Sequence, residues 1–175
     1  MAEDQRLANV LGAFALALVD GMNVGTERAA LVALSQFLDG RSIHDLRGVV
    51  GLTHSGAVRL VDRLAAGGLV ERRPGADGRS VALVLTAEGR RQAARAREAR
   101  LSTLGDVLAA LGDQERQALA GILDKLVGAV VSHRLQARAA GVDPPGGWMC
   151  RLCDLVACER DEGSCPVANA ATSAT

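Results

Sequence analysis

The chain has no Tyr, one Trp and two Phe in 175 residues. A core built from it must therefore be aliphatic, since the large aromatic side chains that dominate many interiors are missing. Cysteine is absent from the first 149 residues. Formal net charge is also absent: 20 basic side chains balance 20 acidic ones. No stretch approaches the ~20 consecutive apolar residues a membrane helix requires, which predicts no membrane partner. The opening MAEDQRLANV is charged and lacks an apolar run after a basic start, unlike a secretory signal. A cytoplasmic protein is expected, where thiols stay reduced. No glycine-rich cofactor loop and no convincing pair of carboxylates occurs. His44, His54 and His133 are scattered over separate predicted helices, none beside a nucleophile, so the chain is not expected to be an enzyme.

What is present suffices for a folded domain. Hydrophobic residues make up 49% and charged residues 23%, a globular balance. The neutral total hides an asymmetry. Residues 41–100 hold twelve Arg against six acidic side chains, and the rest of the chain eight basic against fourteen acidic. A basic middle in a neutral protein suits a polyanion, although a solvated Arg-rich helix face has the same composition.

Apolar spacing predicts a helix over 5–21, with Leu7, Val10, Leu11, Phe14 and Leu18 at three- and four-residue steps. A second follows over 26–38, closed by Asp39-Gly40. Two short helices come next, at 42–50 ending on Gly51 and at 53–66 ending on Gly67-Gly68, with Thr53 as N-cap of the latter. The period then changes. LVERR (69–73) and RSVALVLT (79–86) read as strands joined by the turn PGADG, a β-hairpin. Long helices are predicted from Thr86 to Leu111 and over 113–140. The second carries Leu119, Ile122, Leu126, Val130 and His133 on one face. GVDPPGGW leads, as a linker over 141–149, into a cysteine-bearing segment at 150–166. Residues 167–175, ending ANAATSAT, are expected to be disordered.

Two short helices, a glycine-broken turn and a hairpin make a winged helix-turn-helix pattern. The fold class is therefore mainly α, with one β-hairpin wing. In the helix after Thr53, Ala57, Leu60, Val61 and Leu64 share one side. Ser55, Arg59 and Asp62 share the other, flanked by His54 and Arg63. Such a face fits a DNA major groove, where Arg can bind guanine bidentately and Ser or His can reach base edges or phosphates. An ordinary amphipathic surface helix would show the same stripe. The hairpin adds Arg72, Arg73 and Arg79 around a tight turn, suited to phosphates or a narrow minor groove. Asp77 is suited to capping that turn or to holding an Arg.

The stretch LTHSGAVRLVDRLAAGGLVERRPGADGRSVALVLTAEG resembles the winged-helix core of MarR-type transcriptional regulators. The matching pieces are RLVDRL, GLVER, the Asp77-x-Arg79 pair and LTAEG. The likeness covers residues 42–90, extends in layout over 5–140, and is absent from 141–175. It implies a homodimer held by helices 5–38 and 113–140, with 42–86 as helix-turn-helix and wing. It implies a pseudo-palindromic double-stranded DNA operator, with Ser55 and Arg59 at the major groove and Arg79 at the minor groove, braced by Asp77. The family leans towards repression and commonly binds small aromatic anions, so such an effector is an open expectation. One branch senses peroxide through a cysteine in the first helix, where this chain has none. The apolar stripes of the terminal helices independently call for a partner, because a lone winged helix has no place to bury both.

All four cysteines, Cys150, Cys153, Cys158 and Cys165, lie within 16 residues. Four thiols so close can converge on one metal centre, since short loops close at little entropic cost. Zinc takes four thiolates tetrahedrally as a structural staple, and an iron–sulfur cluster also takes four cysteines. Cys165-Pro166 is similar to the end of the bacterial ferredoxin run. Trp148, Met149, Leu152, Leu155 and Val156 could shield a cluster. The expectation favours iron–sulfur, which would make the segment a redox sensor, over zinc. An electron-transfer protein without DNA binding is a more remote alternative.

Overall fold

The computed structural model describes residues 2–22, 25–75, 80–142 and 146–172. In chain order the elements are α1 (Ala2–Met22), α2 (Thr26–Gln36), α3 (Ile43–Val50), α4 (His54–Ala66), β1 (Val70–Pro74), β2 (Val81–Leu85), α5 (Ala87–Leu108) and α6 (Asp113–Ala139). A 3₁₀ turn (Met149–Leu152) and α7 (Pro166–Thr172) follow. The fold is mainly helical with a single hairpin, as the patterning predicts.

Local chemistry sets these boundaries. Ser42 caps α3 in a reciprocal box: its hydroxyl accepts from the Asp45 backbone NH while the Asp45 carboxylate accepts from the Ser42 backbone NH. The Ser42 hydroxyl, which donates to the Asp45 carboxylate, and then the Ser42 backbone NH hold the Asp45 carboxyl below its usual range. Gly51 ends α3 at φ +72°, a left-handed conformation that glycine adopts without steric cost. Thr53 caps α4 by accepting from the Gly56 NH, and Thr86 caps α5 by accepting from the Gly89 NH.

The strands pair antiparallel, with Val70 opposite Leu85 and Pro74 opposite Val81. The chain before α3 adds a short third rung, where Gly40 donates to Leu83 O and Leu83 donates to Arg41 O. This pins the wing to the helix-turn-helix. The core is one aliphatic cluster. Leu34 of α2, Leu46 and Val49 of α3, Leu60, Val61 and Leu64 of α4, and Leu83 of β2 are all buried. Ala57, Leu60, Val61 and Leu64 face inward together, which is the stripe the sequence predicts.

The long helices are uncovered. On α1, Leu7, Val10, Leu11 and Phe14 are exposed, as are Ile122, Leu126 and Val130 on α6. Among the described residues, α7 is the one helix that packs substantially on α6. Among the described residues no single helix is long and apolar enough to cross a membrane.

The expected disorder over 167–175 is corrected for most of that range, because Pro166–Thr172 form α7. The correction has a physical reason. Alanine-rich sequence forms helix readily once it has a surface to pack on, and α6 supplies one. The remaining three positions, 173–175, lie outside the described residues.

Leu60 stands at the centre of this core with no exposed surface. Leu60→Ala is expected to lower unfolding free energy by about 2–5 kcal/mol, read from denaturant midpoints. A loss near zero would place the core elsewhere.

Candidate nucleic-acid interface and thiol cluster

The wing and α4 form one polar surface. Thr53, His54, Ser55, Arg59 and Arg63 are exposed along α4 and its cap, opposite the buried stripe. Thr53 already spends its hydroxyl on the cap, at 3.2 Å from the Gly56 NH, with Ser55 Oγ 3.3 Å away. The arginines divide by pairing. Arg63 Nε lies 2.9 Å from Glu27 of α2. Arg72 pairs with Asp62 at 2.5 Å, tying wing to recognition helix, and Arg73 with Glu71 at 2.8 Å. Arg59 makes no ion pair among the described residues. These pairs are exposed, so each is worth about 0–1 kcal/mol. A phosphate, whose charge-assisted contacts are stronger, can displace any of the three acids. Asp77 and Arg79, the expected brace and wing-tip contact, lie outside the described residues.

The second site is the thiol segment, folded against the domain. Its four cysteines are free thiols, with Cys150 and Cys165 buried. They associate in pairs: Cys150 is hydrogen-bonded to Cys153, and Cys158 to Cys165. Each pair feels the charge of the other. Among the described residues no three Cys, His, Asp or Glu side chains stand in metal-holding geometry. The hydrogen bond from Cys150 pulls the Cys153 thiol down to about 6 against the effect of burial, helped by Arg100, Arg160 and Arg151. The same bond, with burial, pushes Cys150 far up. Burial, then the bond to Cys165, pushes Cys158 up to about 11. The cluster is therefore rimmed by guanidinium groups that favour thiolate charge.

The residues that seat this segment gave little sequence signal. Trp148 stacks on Phe37 with ring centroids 5.9 Å apart and planes within 6°. Gln36 Oε1 accepts from the Leu155 NH at 2.9 Å, and Arg97 Nε faces Asp154 Oδ2 at 3.2 Å. The stacking of the lone Trp on Phe37 had no signal in the sequence. A cavity of about 590 Å³ opens beside the segment, lined among others by Arg41, His44, Trp148, Cys150 and Arg160.

This arrangement, a capped second helix, an Arg-bearing wing and flanking helices with exposed apolar stripes, defines a winged helix-turn-helix protein. The model described as the MarR family matches residues 21–80. A MarR family protein from Bacillus stearothermophilus superposes with a TM-score of 0.64 at 25% identity, over 71% of this chain and 93% of that one. MepR, a transcription regulator of the Staphylococcus aureus multidrug efflux pump MepA, superposes at 0.63 and 14% identity, over 70% and 97%, a likeness of fold alone. The PcaV transcriptional regulator from Streptomyces coelicolor, in complex with its natural ligand, gives 0.50 at 26% identity, over 71% and 91%. No curated protein matches the chain. Residues 21–80 thus match the MarR family, and the fold is that of the MarR-type winged-helix proteins it superposes on.

Arg59→Ala is expected to weaken binding to a preferred duplex by about 1–3 kcal/mol and to relax the preference at one base pair. Arg73→Ala is expected to weaken all duplexes alike and to lower the salt slope by about one. Equal loss across sequences for Arg59→Ala would make it a phosphate contact. In metal-free reduced protein, Cys153 should be alkylated first, its rate levelling off above about pH 6. A rate still climbing to about pH 8.5, as for an ordinary thiol, would contradict the assigned environment.

Proposed function

We propose that the chain is a homodimeric, sequence-specific DNA-binding regulator, a repressor, acting in the cytoplasm, whose C-terminal cysteines hold a metal centre that senses redox state. The observation that carries the DNA half is the exposed Ser55/Arg59/Arg63 face of α4 beside Arg72 and Arg73 of the wing. The exposed apolar stripes of α1 and α6 support the dimer. Two recognition helices would then meet a pseudo-palindromic operator about one DNA turn apart, roughly 34–36 Å.

The donor set supports the metal half. Cys150, Cys153, Cys158 and Cys165 would be the ligands, two of them buried, with Arg100, Arg151 and Arg160 offsetting thiolate charge. An iron–sulfur cluster held there would supply one-electron chemistry. The chain's own part is to hold the thiolates, shield them with Trp148 and Leu152, and connect them to the winged helix.

A second reading keeps the regulator, makes zinc a structural staple and places control in a small-molecule effector such as an aromatic anion. The cavity of about 590 Å³ favours it, since Arg41 and Arg160, facing the single carboxylate of Asp45, bring positive charge beside the Phe37–Trp148 stack. Its volume falls in the range of small-molecule sites.

Protein purified without oxygen should be coloured and contain iron and sulfide, and Cys153→Ser should abolish redox-dependent DNA binding while leaving the winged helix folded. Colourless protein with about one zinc per chain would establish the second reading instead.

A further inference from the structure

The cysteine segment does more than follow α6. The chain immediately before it is pressed into the turn of the helix-turn-helix. Gly147 is buried against the end of α3, and a Cβ there would fall on the Val49 carbonyl oxygen. A Cβ on Gly51 would in turn collide with the Gly147 backbone nitrogen. Two glycines are thus required for one backbone to lie on the other. The Trp148 NH donates to Val49 O at 2.8 Å. From the opposite side, Arg134 of α6 donates to Gly147 O at 3.0 Å.

The place of that contact matters. Gly51 is the C-cap of α3 and Thr53 the N-cap of α4, so only Leu52 separates the pinned backbone from the start of the recognition helix. Further along, Gln36 at the end of α2 holds the Leu155 NH, and Arg97 of α5 faces Asp154. Meanwhile α6 packs within its own chain chiefly on α7. A path of packed atoms from α6 to the helix-turn-helix therefore runs through residues 147–148.

We propose that residues 146–155 are an intrachain clamp that positions the helix-turn-helix on α6, so that order in the cysteine segment sets the placement of the recognition helix. Gly147, Arg97 and Asp154 are its positioning residues. None need touch DNA. The clamp rests on the DNA-binding reading and deepens its regulation; it does not depend on which metal the thiols hold. Released, the lobe can swing on the α5–α6 framework, and two recognition helices sample spacings that a palindrome does not match. Affinity for the operator should then fall more than affinity for random DNA, because the nonspecific share needs charge but not register.

Trp148, the one Trp in the chain, reports docking directly through its stack on Phe37. The test uses the full-length protein, a duplex selected from a random library with wild type, and a random duplex of equal length. Gly147→Ala and Arg97→Gln are expected to increase acrylamide quenching of Trp148. They should weaken the selected duplex about ten-fold while changing the random one by less than about two-fold, within the usual range of coupling between sites. Arg97→Lys, which keeps the charge facing Asp154, should restore both readouts, a rescue that general destabilisation would not give. The clamp is overturned if the variants expose Trp148 and leave operator preference intact, or if neither variant changes quenching. Wild-type protein without bound metal would end the metal reading and leave this comparison as decisive as before.

Discussion

The constraint on which the rest depends is the size of the aliphatic core. With Leu, Val and Ala in place of aromatic side chains, the buried cluster reaches from α2 to β2 and little further. It is enough to fix the winged lobe: Leu34, Leu46, Leu60, Leu64 and Leu83 are buried together, on helices whose ends are set by their own local caps. It is not enough to cover α1 or α6. Their stripes remain in water within one chain, and burial of apolar surface at about 25 cal/mol per Å² gives them strong reason to find a second copy.

The same shortage explains the form of the C-terminal segment. A short, polar, cysteine-rich stretch cannot build a core of its own. It takes order from outside, by stacking Trp148 on Phe37, by setting Gly147 against the α3 carboxyl end and by placing Asp154 before Arg97. Four thiols in pairs, rimmed by arginines, offer a further source of order if a metal ties them together. Segment and lobe then stabilise each other, and any event that loosens one is felt by the other. Linkage of this kind requires only that the two arrangements differ in free energy, not that the sites lie close.

The lobe was legible because its signals are local. The period of α4, the glycines after it, the PGADG turn and the caps Ser42, Thr53 and Thr86 each depend on residues a few positions apart. What was not legible is the docking, which joins Gln36 to Leu155 and Arg97 to Asp154 across more than fifty residues, with no periodicity to announce it. The pairing of Arg63 with Glu27 and of Arg72 with Asp62 was equally hidden. Disorder was expected where α7 forms for a related reason: small residues carry no pattern of their own, and the surface that orders them is α6. The segment's contacts lead to the turn before α4 as well as to α6.

Amide hydrogen exchange on the full-length protein, before and after treatment with a metal chelator, tests this coupling most directly. The account predicts that chelation speeds exchange in residues 146–165 and also across α3 and α4, residues 43–66, while the buried α2 amides keep their protection. Faster exchange confined to 146–165, with α3 and α4 unchanged, would contradict it.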